Sequence, residues 1–163
     1  VTDYIKEIVL MGGSTGRGNV IPLAEFNIYC DPEAAQVVFN SGLPLTMIGL
    51  DLAREAMFSH DFVKSFKNQN ETGHMLHDLF QHYRSEDFEY VVKIYDVFTI
   101  LYLLQPQAFN VKEADVQIEL AGQYTKGATV VDFESHYPNC TVVLSPVDKG
   151  YEDLFLDALN YCK

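Results

Sequence analysis

An α/β fold, with a mainly parallel sheet flanked by helices, is the fold class this sequence predicts, and three observations carry it. The apolar run Ile8-Val9-Leu10-Met11 is closed by Gly12-Gly13, the form of a buried parallel strand. Asp31-Pro32-Glu33 reads as a helix start, with Asp as the cap, Pro at the first helical position and Glu in the first turn. A second apolar run at residues 43–49 comes after a Ser41-Gly42 stop. Residues 8–49 therefore predict a strand–helix–strand unit, which implies parallel neighbouring strands and a right-handed crossover.

Residues 1–7 read as the end of a helix, and residues 14–19 as a glycine-rich loop. The helix after Asp31 covers residues 33–40. Residues 51–84 read as mostly helical, broken near residues 67–70 and again after Tyr83. Residues 96–104 form an apolar helix that Pro106 ends. The period then changes: Val116, Ile118 and Leu120 fall on one face of a strand at residues 111–120. Residues 128–133 and 141–144 are two more strands, and residues 151–162 alternate acidic and apolar positions at helical spacing. No repeat or linker divides the chain, so it reads as one domain or part of one.

Composition narrows the function. The 163 residues are 48% hydrophobic and 21% charged, enough apolar material for a substantial core. The formal charge of −12 disfavours nucleic-acid backbones and anionic membranes, which call for clustered Lys and Arg. Cys30, Cys140 and Cys162 form neither a disulfide framework nor a zinc pattern, which predicts a reducing, cytoplasmic setting. The chain opens on Val1 and reaches a strand by Ile8, which leads to the expectation of a longer parent polypeptide.

Two clusters hold candidate chemistry. Met11-Gly12-Gly13, Asn19 and Ala24-Glu25-Phe26-Asn27 lie beyond the carboxyl end of a predicted strand, the edge where open α/β sheets bind ligands. Asn19, Glu25 and Asn27 supply both donors and acceptors, as sugar hydroxyls require. The other reading is a loop whose Asn and Glu satisfy its own backbone. Gly13-Ser14-Thr15-Gly16-Arg17-Gly18 lacks the Lys-Ser/Thr of a P-loop and the dinucleotide spacing, so it is no backbone phosphate cradle. The second cluster is Asp96 within an apolar stretch. A helix cap and a bound cation such as Ca²⁺ are both open readings of it. His74, His77 and His82, with Gln81 and Tyr83, read as the polar face of an amphipathic helix.

Residues 6–13, Gly18-Asn19-Val20, residues 24–28 and 31–35, Gly49-Leu50-Asp51 and residues 119–132 together closely resemble the inosine-uridine preferring nucleoside hydrolases. The likeness covers nearly the whole chain and is densest at residues 8–51. It implies an α/β fold, a ribonucleoside substrate, cleavage of the N-glycosidic bond through an oxocarbenium-like transition state, one Ca²⁺, and assembly as dimers or tetramers. By the same resemblance, Asn19, Glu25 and Asn27 grip the ribose hydroxyls, Phe26 lies near the sugar and Asp96 is a calcium ligand. Met11 and Tyr83 are further substrate contacts, and Tyr95 contacts the leaving base.

The sequence departs from the family pattern in two places. The family's Asp-x-Asp-x-x-x-Asp-Asp motif, source of the general base and most calcium ligands, is not in this sequence, which corresponds to the C-terminal part of the domain. Tyr95 stands where the family often has His, a better proton donor near neutral pH. The expectation is a nucleoside hydrolase whose isolated chain is inactive, with Ca²⁺ not retained. The alternative is a non-catalytic truncated homologue or a nucleoside- or ribose-binding subunit.

Overall fold

A computed structural model describes residues 2–82 and 91–163. Five strands form one sheet: β1 (Ile8–Met11), β2 (Leu45–Ile48), β7 (Cys140–Pro146), β5 (Phe109–Ile118) and β6 (Thr129–Asp132), in that spatial order. β1 and β2 are parallel neighbours, with Ile8 opposite Leu45 and Met11 opposite Ile48. β2 and β7 are also parallel. β5 runs antiparallel to both β7 and β6. The sheet is thus mixed, with its parallel pairings confined to one side. For β5 and β6 the reason is connectivity: residues 119–128 between them are too few for the crossover that parallel neighbours need.

Helices cover both faces. On one, α1 (Phe26–Cys30) and α2 (Pro32–Phe39) pack Ile28 and Phe39 against Leu45, Met47, Val116 and Val142. Asp31 caps α2 as its sequence requires, accepting from Ala34 N at 2.9 Å. On the other face lie α3 (Leu50–Glu55), α4 (His60–Phe66), α6 (Val97–Leu104) and α7 (Gly150–Asn160). Their core holds Ile48, Leu52, Phe58, Phe66, Phe98, Val143 and Tyr151. Alternate residues of β2 enter opposite cores, Met47 one and Ile48 the other, as the strand pleat demands. Phe58 anchors the second core, its ring 4.7 Å from Phe62 and 5.0 Å from Phe155 in edge-to-face contacts.

Two expectations change. Residues 2–7 give only a 3-10 turn at Thr2–Tyr4. The segment expected to stay helical contains a short strand, β3 (Met57–Ser59), antiparallel to β4 (Val91–Lys93). Ser59 explains the break: its hydroxyl accepts from Phe62 N at 3.1 Å and starts α4 afresh. The region also includes α5 (Glu71–His82). Among the described residues, no helix is long and apolar enough to cross a membrane.

Burial separates the cysteines. Cys140 is buried and its thiol is pushed up to about 12 by desolvation, whereas Cys30 and Cys162 are exposed. Only a thiolate reacts readily. Alkylation of the native chain near neutral pH, read by mass spectrometry, should mark Cys30 and Cys162 and spare Cys140 until denaturant is added.

Candidate active site

The carboxyl ends of β1 and β2 are locked together by their own backbone. Gly12 N donates to Ile48 O at 3.0 Å, and Leu50 N to Gly13 O at 3.0 Å. Gly13 has φ +75°, and a Cβ there would lie 2.8 Å from both Met47 Sδ and Thr129 Cγ2. Only glycine satisfies both conditions. The loop beyond it is tied on two sides. Thr129 Oγ1 accepts from Ser14 N at 3.0 Å and donates to Ser14 O at 2.6 Å. From α3, Asp51 Oδ2 accepts from Thr15 N at 2.7 Å, and Arg54 donates to Arg17 O. The chain then folds back on itself, with Asn19 N bonded to Ala24 O at 3.1 Å, which sets Asn19 beside Phe26.

Glu25 organises the start of α1. It is only 3% exposed. Its Oε2 accepts from Gly13 N at 3.1 Å, Asn27 N at 2.9 Å and Ile28 N at 3.3 Å. One oxygen thus caps α1 and ties that helix to the end of β1. Asn19 Oδ1 accepts from Phe26 N at 2.8 Å. Asn27 Nδ2 donates to Met11 O at 3.1 Å and lies 3.2 Å from Met11 Sδ. The loop does satisfy its own backbone, but with only one end of each side chain. Among the described residues, Glu25 Oε1, Asn19 Nδ2 and Asn27 Oδ1 have no hydrogen-bond partner.

The segment between β4 and α6 supplies the opposite wall. Tyr95 and Asp96 join Met11, Asn19, Glu25, Phe26 and Asn27 around one cavity of about 280 Å³. Asp96 sits at the cap position of α6, yet its side chain makes no capping bond. Its carbonyl instead accepts from Thr99 N at 3.0 Å and Thr99 Oγ1 at 2.7 Å. Asp96 is exposed rather than buried, because it stands at the cavity and not in the apolar helix after it. Tyr83 lies outside the described residues. His74 and His77 turn to Asp78, at 4.0 and 3.0 Å, and His82 Nδ1 meets Asp78 O at 2.7 Å. The hydrogen bond from His77 holds the Asp78 carboxyl below its usual range.

A larger cavity of about 890 Å³ lies at the other end of the strands, beside Leu45 and Cys140. It lies at the amino ends of β2 and β7, away from the carboxyl edge where α/β sheets hold ligands. A third cavity, of about 260 Å³, adjoins the site and shares Asn19 and Tyr95 with it. Arg17, Arg54 and Lys93 line it. The sequence does not single them out as a group, because they come from a loop, a helix and a strand that only tertiary packing joins.

The donors do not fit Ca²⁺ unaided. Roughly six to eight oxygens surround that ion, and Asp96, Asn27 Oδ1 and the Met11 carbonyl fall short of that. Among the described residues no group of three or more His, Cys, Asp or Glu converges as a metal site.

Fold and cavity together define an α/β protein with a polar cavity at the ends of its parallel strands. The family model of the inosine-uridine preferring nucleoside hydrolases matches residues 1–152, and the chain belongs to that family. Non-specific ribonucleoside hydrolase RihC of Salmonella typhimurium is 51% identical over 160 residues, covering 96% of this chain and 52% of the relative. The chain therefore spans about half the length of the curated relatives it matches. A purine-preferring ribonucleoside hydrolase from Gardnerella vaginalis superposes with a TM-score of 0.82 at 27% identity, over 98% of this chain and 52% of that one. An inosine-uridine preferring nucleoside hydrolase from Bacillus anthracis shares the fold, with a TM-score of 0.83 at 20% identity, over 98% of this chain and 52% of its own.

Glu25→Ala removes the acceptor for three backbone N–H groups at once. It should lower the unfolding free energy by about 2–4 kcal/mol in urea denaturation, from a lost cap and buried donors left unsatisfied. Glu25→Gln, which retains an acceptor oxygen, should lose less.

Proposed function

We propose that this chain forms the C-terminal, ribose-holding part of a single nucleoside hydrolase domain, which splits the N-glycosidic bond of ribonucleosides to base and ribose. The supporting observation is the set of polar atoms left over around the cavity of about 280 Å³. Asn19 Nδ2 is a donor, and Glu25 Oε1 and Asn27 Oδ1 are acceptors. A sugar hydroxyl needs both kinds of partner. Phe26 offers an apolar face to the ring, and Asp96 brings a second carboxylate.

The chemistry follows from charge. As the glycosidic bond breaks, positive charge develops on the ribose ring. The carboxylates of Glu25 and Asp96 line the same cavity, so they favour that charge more than the neutral substrate. Glu25 is held by backbone donors before any ligand enters, which lowers reorganisation. Tyr95 orients the leaving base or fills space beside it, because a phenol is a poor proton donor near neutral pH. In this reading Ca²⁺ is the family's cofactor, completed only by carboxylates from outside these residues. The reading also includes homo-oligomers and a cytoplasmic setting, the latter supported by three free cysteines.

The 163-residue chain alone should release no ribose from inosine or uridine at an ordinary enzymatic rate, on the order of 1 s⁻¹. A missing general base typically costs about 10²–10⁴-fold. Turnover by the chain alone would show that the base lies within it.

A chimera tests the residue roles. This chain replaces the corresponding segment of the Salmonella typhimurium hydrolase, to which it is 51% identical. The chimera should cleave nucleosides. Asn27→Ala should then reduce kcat/KM by about 2–4 kcal/mol of transition-state stabilisation, while Tyr95→Phe retains most activity. A folded but inert chimera would favour the non-catalytic, ribose-binding reading. The reverse ranking of the two variants would move the chemistry to Tyr95.

A further inference from the structure

On one side the sheet ends at β1, and among the described residues no strand pairs with its outer edge. Two hydrogen bonds fix which groups face that edge. Ile8 N donates to Pro44 O and Gly12 N to Ile48 O, both toward β2. A strand repeats every two residues, so Val9 and Met11 turn their N–H and C=O groups the other way. The Met11 carbonyl agrees with this direction, since it accepts from Asn27 Nδ2 of α1. Val9 N–H, Val9 C=O and Met11 N–H are then an open row of pairing groups.

β1 is nevertheless built like an interior strand. Val9 packs into one core and Leu10 into the other. Ile8-Val9-Leu10-Met11 carries no charge, proline or bulge, the devices that guard a natural edge. The opposite edge is different: β6 ends in the charged Asp132 and turns Val130 and Asp132 to solvent. The helix over β1 repeats the contrast. α6 packs on β1, with Phe98 and Leu101 buried. Its outer face carries Ile100, Leu103 and Leu104, which are 55%, 49% and 65% exposed. None of the eight residues of α6 is charged, and a helix apolar all round belongs inside a protein. Open edge and bare helix adjoin as one apolar flank.

We propose that this flank is a docking face, and that it takes the complementary part of a nucleoside hydrolase domain without a covalent junction. The partner lays a strand parallel to β1 and an apolar helix against α6. This rests on the proposed place of the chain within such a domain. The Salmonella typhimurium relative matches 96% of this chain over only 52% of its own length, so about half of it has no counterpart here. Parallel pairing suits the flank because β1, β2 and β7 all run one way. The docked strand then ends beside Met11, at the edge where Asn19, Glu25 and Asn27 line the cavity. β2 and the packed helices already hold β1, so the edge is a formed template before a partner arrives, as in other strand additions.

The test co-expresses the 163-residue chain with the part of the Salmonella typhimurium hydrolase that it does not cover. Assembly is read by light scattering and by amide hydrogen exchange. A one-to-one complex should form. The Val9 and Met11 amides should exchange fast in the chain alone and slowly in the complex, while those of Leu10 and Gly12 stay slow in both. Leu103→Glu should weaken the complex about tenfold or more, because the charge enters an apolar contact, and should leave the circular dichroism of the chain unchanged. Val9→Pro removes an outward N–H, a change an edge strand tolerates, and should also prevent assembly. In the covalent chimera the same two amides should be slow. No complex, or Val9 and Met11 amides that stay fast in the complex or the chimera, overturns the docking face. A chain that dimerises by itself with both amides slow gives the flank to a second copy and overturns the proposed partner. A one-to-one complex with both amides slow but no nucleoside cleavage upholds the docking face and sinks the hydrolase reading. Cleavage by the chimera when the two pieces do not associate overturns the docking face and leaves the hydrolase reading standing.

Discussion

One carboxylate oxygen, Glu25 Oε2, sets the geometry on which the candidate site depends. It accepts from Gly13 at the end of the first strand and from Asn27 and Ile28 at the start of the first helix. These segments belong to different elements, and the one oxygen joins them directly. The bonds are charge-assisted and lie largely out of water, where they are roughly twice as strong as neutral ones. Because the helix start is held, Asn27 meets Met11 and Phe26 N reaches Asn19. The positions of two polar side chains, Asn19 and Asn27, thus depend on one buried acid.

This arrangement changes how the loop's polar residues are understood. In the sequence, a self-satisfying loop and a ligand-binding one are alternatives. Each side chain has two polar ends, and the structure assigns them different partners. Backbone groups take Asn19 Oδ1, Asn27 Nδ2 and Glu25 Oε2. The fixed end determines which way the other end faces, so self-satisfaction is what orients the remaining atoms. A substitution here therefore alters stability and ligand contact together, and separating the two requires variants that retain an acceptor.

The strand–helix–strand unit was legible because its signals are local. An apolar run, a double glycine and an Asp-Pro-Glu start need no tertiary context, and β1, α2 and β2 lie where those signals put them. The strand β3 was not legible. Met57-Phe58-Ser59 has apolar residues that also fit a helix, and its pairing partner is distant in sequence, at Val91–Lys93. The mixed character of the sheet was hidden for a related reason: strand direction depends on connection length and packing, not on composition. At the site, Asn19, Glu25, Phe26 and Asn27 are near one another in sequence and were legible as a group. Asp96 could be named but its setting could not, since its apolar neighbours belong to a helix that runs away from the cavity. Arg54 and Lys93 gave no signal, since only folding brings them to Arg17.

Charge separation across Asn19 and Tyr95 links these observations. A carboxylate-lined cavity favours positive charge, and it repels an anion for the same reason. A cavity lined by Arg and Lys has the opposite preference. Placed side by side with a polar amide between them, the two keep opposite charges apart. The division relies on the glycine-rich loop being held from α3: Asp51 fixes Thr15, and Arg54 fixes the carbonyl of Arg17. Asp51 and Arg54 are themselves only 3.7 Å apart, so the ion pair on the helix grips the loop at two points. Loosening that grip would move Arg17 and Asn19 together, since the same loop carries both with only Gly18 between them. The sign of the second cavity and the orientation of the first thus have a common origin in the contact between α3 and this loop.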